Sequence, residues 1–178
     1  SAETGHTAKV DAAGLTPGAG YFYRFVHDHT PSPVGTTRTL PAIASSVKLA
    51  VLSCTNYPAG YFNVYSEVAR SDAEFAIHLG DYIYEHPVGG YASASAVALG
   101  RLSVPAHELL TLSDYRARHA QYKSDADSKN LHARLPMIAV WDDHEFADDA
   151  YTAGAAGHDP ATEGTWAARV AAAAQAYH

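Results

Sequence analysis

Phe75-Ala76-Ile77-His78-Leu79-Gly80-Asp81-Tyr82-Ile83-Tyr84-Glu85 is a short apolar run that stops at a glycine and is followed at once by carboxylates and phenols. Phe75 to Leu79 reads as a strand buried on both faces, because such strands appear as nearly continuous apolar runs bounded by turn residues. The same texture occurs twice more. Val47 to Leu52 ends at Ser53-Cys54-Thr55-Asn56, and Met137 to Trp141 ends at Asp142-Asp143-His144-Glu145. Between these runs, Phe62 to Arg70 places Phe62, Tyr65 and Val68 or Ala69 on one helical side. Leu109 to Tyr122 is a second helical stretch, with Ser113-Asp114 as its cap candidate. Strand, helix, strand, helix, strand predicts a layered α/β domain beginning near residue 47. Parallel strands would carry all three polar tips to one edge, where open α/β sheets bind their ligands.

Residues 1 to 42 have a different character. Leu15-Thr16-Pro17-Gly18 is a turn signal, and Tyr21, Tyr23 and Phe25 then alternate along a strand candidate. Pro31, Pro33 and Gly35 interrupt it, Thr36 to Leu40 reads as a last strand, and Pro41 to Ser46 as a linker. The pattern is similar to the closing strands of a fibronectin type III or immunoglobulin-like sandwich. That fold needs about seven strands, so only its C-terminal part is expected here. There is no internal repeat.

With 47% apolar residues the chain can bury a core, and a formal net charge of −7 argues against a general nucleic-acid binder, which needs a basic face. Cys54 is the only cysteine, so no intrachain disulfide forms and compartment cannot be read from disulfide usage. No run of about 18 apolar residues marks a membrane span. The 11 histidines and 19 carboxylates suit metal ligation and a solvated surface equally.

Each polar tip has a plain structural reading beside the chemical one. Gly80-Asp81 is a common turn dipeptide, yet Asp81 can offer one oxygen to each of two metals, with Tyr84 following it to the same side. Asp142 or Asp143 could cap a helix. Against that, four ionisable groups directly after an apolar strand are costly to bury without a cation or a cleft. His144 could act there as a general acid or a phosphate contact. Cys54 alone reads as core packing and Asn56 as a turn residue. Arg116 or Arg118 on the second helix could reach phosphate, with structural ion pairing the simpler role. Asp125 and Asp127 read as turn and cap residues. The segment from Pro87 to Pro105, with His86 and His107 beside it, reads as a site loop or lid.

Taken in this order, the three motifs resemble the PhoD-like branch of the calcineurin-like metallophosphoesterases, and the Gly35-Thr36-Thr37-Arg38-Thr39-Leu40-Pro41 exit of the β module is similar too. The resemblance implies phosphate-ester hydrolysis on a layered β-sandwich with flanking helices. Cys54 and Asn56 stand where the wider superfamily has Asp-x-His, and in the PhoD-like branch the cysteine is a metal ligand. Tyr84 takes the last place of Gly-Asp-x-x-Asp, as in the purple acid phosphatases, where the phenolate binds ferric iron. Asp143 and His144 stand where Gly-Asn-His-Glu has its metal-binding Asn and catalytic His. By resemblance, then, Fe(III) is expected on Cys54, Asp81 and Tyr84, Ca(II) on Asp81 and Asp143, and His144 as the catalytic residue. Thiolate and phenolate suit iron, and carboxylate oxygens suit calcium.

The superfamily also needs ligands from a later Gly-His-x-His motif. Asp148, Asp149, His158, Asp159 and His178 do not form it. The chain is therefore expected to be a fragment: residues 1–42 the end of a β-sandwich module, residues 47–178 the N-terminal half of a catalytic domain, inactive without the remainder. Family resemblance alone implies a periplasmic or secreted location. Two rivals stand beside this reading, a dinuclear Zn(II) or Mn(II) phosphodiesterase and a secreted β-sandwich binding module with a non-catalytic appendage.

Overall fold

The computed structural model describes residues 5–178. Its N-terminal part is two antiparallel ribbons. β1 (Gly20–Tyr23) pairs with β4 (Gly35–Arg38), Gly20 opposite Arg38, and β2 (Val26–His27) pairs with β3 (Thr30–Pro31). Gly18, at a φ of +70°, supplies the turn that Pro17-Gly18 predicts.

The second part is a parallel sheet in the order β5 (Leu49–Leu52), β6 (Phe75–His78), β7 (Met137–Ala139). Helix α1 (Asn63–Arg70) connects the first two strands, and α2 (Ala96–Leu99), α3 (Leu112–Ser124) and α4 (Ala126–Arg134) lie between the second and third. α5 (Pro160–Glu163) and α6 (Trp166–Tyr177) follow β7. This is a mixed α/β chain whose parallel sheet agrees with the alternation in the sequence.

The α3 start differs from expectation. Thr111 is the cap, its hydroxyl accepting from the Asp114 N–H, while the Asp114 carboxylate accepts the Thr111 N–H at 2.8 Å. Asp114 thus completes a reciprocal box instead of opening the helix. Asp125 caps α4, which the sequence analysis had not identified as a helix, and also pairs with the buried Arg101 at 2.7 Å.

Register puts Ala50, Leu52, Ala76 and His78 on one face of the sheet, and the buried core containing Leu52, Tyr65, Tyr82, Tyr115, Tyr122 and Leu131 fills that side. Several core residues are phenols, and buried hydroxyls need partners. Tyr65 bonds Thr55 at 2.6 Å, Tyr122 accepts the Tyr57 N–H at 3.1 Å, and Tyr82 bonds His132 at 2.7 Å. The opposite face carries Leu49, Val51 and Ile138, all exposed, with Ile77 between them. The second face is therefore covered only in part by the described residues, with Phe75 of β6 buried on it, whereas the strands' composition predicted full cover on both.

Three histidines on the helical side, the buried His78 and His119 and the half-buried His132, are held neutral. Burial lowers His78 to about 4, His119 to about 3 and His132 to about 4. The Gly80 N–H donates to Nδ1 of His78, a bond that a protonated ring cannot accept. In the unfolded chain these rings titrate near ~6.5. Between that pH and about 4 the unfolded state binds more protons, so stability is complete above ~6.5 and falls as the pH drops, by about 1.4 kcal/mol per unit for each histidine. Equilibrium urea denaturation at pH 7.5 and pH 5 should show a clearly lower midpoint at pH 5.

Candidate metal centre

The three strand tips meet at one edge and are tied together by their backbones. The Cys54 N–H donates to Gly80 O at 3.1 Å, Thr55 N–H to Asp81 O at 2.8 Å, and Val140 N–H to His78 O at 3.0 Å. Gly80 has a φ of +115°, and a Cβ there would lie 2.5 Å from Asp142 Cβ and 2.6 Å from its backbone nitrogen. Only glycine allows the β6 and β7 tips to approach so closely. The buried Glu145 carboxylate fastens them, accepting N–H groups from Asp81 (3.1 Å), Tyr82 (2.5 Å) and Asp142 (2.8 Å).

Cys54 and Asp81 both sit in the left-handed region, at φ of +58° and +54°. Such strain, about 1–3 kcal/mol per residue, persists where surrounding structure enforces it and concentrates at functional sites. The Tyr84 hydroxyl donates to Asp81 Oδ2 at 3.0 Å, while Asp81 Oδ1 is buried and accepts no hydrogen bond. Burial pushes the Asp81 carboxyl up, with His144, Tyr84 and Cys54 opposing. Burial first, then the adjacent Asp81 carboxylate, pushes the Tyr84 phenol well above its ordinary value, and the Cys54 thiol adds to this. Uncompensated, this carboxylate is costly. A cation would complete it, and thiol, phenol and carboxylate side by side form a donor set that fits one.

Ligand atoms of Asp81, Asp143 and His144 also lie within 4.8 Å of one another. Asp143, Asp148 and Asp149 form a second such group, and Glu85, His86 and His144 a third. His144 Nδ1 lies 2.8 Å from the buried Glu85 Oε2, and Glu85 Oε1 accepts the Asp148 N–H at 2.8 Å. Burial pulls His144 down, but the Glu85 bond and the Asp81 and Asp143 carboxylates outweigh it and raise His144 to about 9. A bound cation would offset the two aspartates and reduce that rise. Neither Asp142 nor Asp143 caps a helix: a turn follows β7.

All five residues singled out from the sequence, Cys54, Asp81, Tyr84, Asp143 and His144, therefore belong to this edge. Glu85 and Glu145 were quoted within the motifs without a role, and their spacing gives no sign that they turn inward. Arg118 differs from both sequence-based expectations. It is buried and donates to the carbonyls of Tyr84, Val104 (3.0 Å), Pro105 (3.0 Å) and His86 (3.2 Å), with no carboxylate among these partners. A cavity of about 340 Å³ borders Cys54 and Asn56. Another of about 470 Å³ lies between the N-terminal ribbon and α3, α4 and β7, and no candidate ligand lines it.

No helix among the described residues is long and apolar enough to cross a membrane. Residues 49–178 match the model of the PhoD-like phosphatase family, and residues 1–41 that of the PhoD-like phosphatase N-terminal domain. Alkaline phosphatase D of Bacillus subtilis (strain 168) is 44% identical over 143 residues, covering 79% of this chain and 24% of the relative. A solved structure described as the structure of PhoD superposes with a TM-score of 0.83 at 41% identity, covering 94% of this chain and 32% of that one. The chain thus spans about a quarter of the curated relative it matches. On these matches, and with its three motifs gathered at one sheet edge, the chain belongs to the PhoD-like phosphatase family.

Proposed function

We propose that this chain supplies one half of the active site of a metal-dependent phosphate-ester hydrolase. The observation that carries the reading is the buried, unpartnered Oδ1 of Asp81, a carboxylate that accepts from Tyr84 through Oδ2 and lies in one group with Asp143 and His144. Cys54, Asp81 and Tyr84 would hold Fe(III), and Asp81 with Asp143 would hold Ca(II). Bound there, the metals supply Lewis acidity to the phosphate oxygens and an activated nucleophile. Glu85 fixes the His144 ring through Nδ1, which leaves Nε2 to stabilise developing charge or give a proton to the departing alcohol. The raised proton affinity of His144 suits a donor. Glu145 holds the turn that carries Asp81 through its backbone N–H.

The remaining ligands, and cover for the exposed Leu49, Val51 and Ile138, would come from the rest of a longer exported polypeptide. Residues 1–42 would close a β-sandwich module and residues 47–178 open the catalytic domain, with no activity in the piece alone. A binding module with an inert appendage leaves the Asp81 carboxylate unexplained. A Zn(II) or Mn(II) phosphodiesterase differs in the metal.

The test is metal analysis and ester turnover of the full-length protein. Iron and calcium should both be retained, with visible colour from a ferric phenolate. His144→Ala should lower kcat roughly 10²-fold at unchanged metal content. Zinc or manganese in place of iron would favour the rival metal assignment, and no turnover in a metal-replete protein would overturn the function.

A further inference from the structure

Four rings lie together at the metal centre, and two of them, His86 and Tyr91, are not accounted for by the proposed ligation or proton transfer. Tyr84 and His144 are in close contact, with centroids 4.2 Å apart, and His86 lies 5.4 Å from His144. Tyr91 completes the group. Its ring is nearly parallel to Tyr84 (16°, 6.0 Å) and to His144 (18°, 6.4 Å), and lies 5.9 Å from His86. Whereas Tyr84 is 5% exposed, Tyr91 is 61% exposed, so its ring presents an apolar surface to solvent beside His144.

The loop is built to hold it there. Val88 N–H donates to Ala106 O at 2.9 Å, Gly90 N–H to Pro87 O at 3.0 Å, and the Ser93 hydroxyl to Gly90 O at 2.7 Å. A Cβ on Gly90 would lie 2.8 Å from His86 Cβ, so glycine is needed for the fold-back. Asn56 Nδ2 donates to Tyr91 O at 3.3 Å, tying the loop to the Cys54 turn. An exposed aromatic ring, anchored through its own backbone to a loop that holds a candidate ligand, is placed for contact with something other than the protein's core.

We infer that Tyr91 is a specificity-determining residue, contacting the organic part of the ester and favouring alcohols that carry a flat ring close to the ester oxygen. The inference rests on the phosphoesterase reading. There the phosphate occupies the acidic side formed by Asp81 and Asp143, and His144 faces the departing oxygen. The substituent on that oxygen then extends past His144 toward the Tyr91 face, where a ring stacks and a small hydrophilic alcohol gains nothing.

The test uses the full-length, metal-loaded enzyme with phenyl phosphate and glycerol 2-phosphate. In Tyr91→Ala the ratio of kcat/KM for phenyl phosphate over glycerol 2-phosphate should fall roughly tenfold, mainly through KM, since stacking against an aromatic side chain supplies about that discrimination. Tyr91→Phe keeps the ring and should leave the ratio within about threefold of wild type. A ratio is independent of the folded fraction, so a partly misfolded variant still reports. As a second readout, phenylphosphonate should lose its advantage over methylphosphonate as a competitive inhibitor in Tyr91→Ala. An unchanged ratio, or equal loss on both substrates, overturns the assignment of Tyr91 while the phosphoesterase reading stands. A wild-type enzyme that retains its metals and hydrolyses neither ester overturns both.

Discussion

Asp81→Asn is expected to give a protein that folds at least as well as the wild type, retains no bridging metal and turns over no substrate. Asp81 is buried, and its two oxygens have unequal surroundings: Oδ2 accepts from the Tyr84 hydroxyl and Oδ1 from nothing. Burial already pushes its proton affinity up, the mark of a charge that the metal-free fold does not favour. Asparagine is nearly isosteric, tolerates the left-handed backbone at φ of +54°, and removes the charge. Without metal the variant should therefore be equal or more stable, by up to about 1 kcal/mol. A neutral amide cannot replace a carboxylate shared by two cations, and turnover should fall by about 10³-fold or more. Elemental analysis, thermal melting in chelator and kcat on one preparation give all three readings. Normal metal content and rate would refute the assignment of Asp81.

Arg118→Leu is expected to destabilise the protein by about 2–4 kcal/mol, because it removes a guanidinium donor shared by four backbone carbonyls. The side chain is 1% exposed, and its guanidinium satisfies four backbone carbonyls from two segments, Tyr84 and His86 on one side and Val104 and Pro105 on the other. Leucine leaves the buried Tyr84 carbonyl without this donor, at a cost of about 1–3 kcal/mol, and removes a donor from three part-buried carbonyls as well. Arg118→Lys places a single ammonium where a planar fork is needed, and should fall between leucine and wild type. Urea denaturation of the three proteins provides the comparison, and an unchanged midpoint for the leucine variant would show that the two segments hold together without it. These carbonyls flank Tyr84 and Glu85, so loosening them also releases a candidate ligand and the group that orients His144.

The edge of the sheet was legible in the sequence because three short apolar runs each ended in polar residues, and parallel pairing then leaves no choice about where those residues meet. Cys54, Asp81, Tyr84, Asp143 and His144 follow from that rule together with the family's motifs. Their supports were not legible. Nothing in the spacing of Tyr84-Glu85 or His144-Glu145 distinguishes a carboxylate in water from one turned inward, because that depends on amides and rings contributed by distant segments. Arg118 is similar: helical position shows that it shares a face with Tyr115 and Tyr122, but not that its partners are carbonyls. The composition of β5 pointed to cover on both faces, while the described residues supply it on one.

Glu145 ties together the amides of Asp81 and Tyr82 on one turn and of Asp142 on the next. The gap between the two turns is thus set by the reach of a single side chain together with the close Gly80–Asp142 approach. Widening the gap would first strand a buried anion away from its donors, so the separation of the candidate ligands on the two turns is a fixed property of the strand ends. Loops elsewhere on the rim can change without altering it.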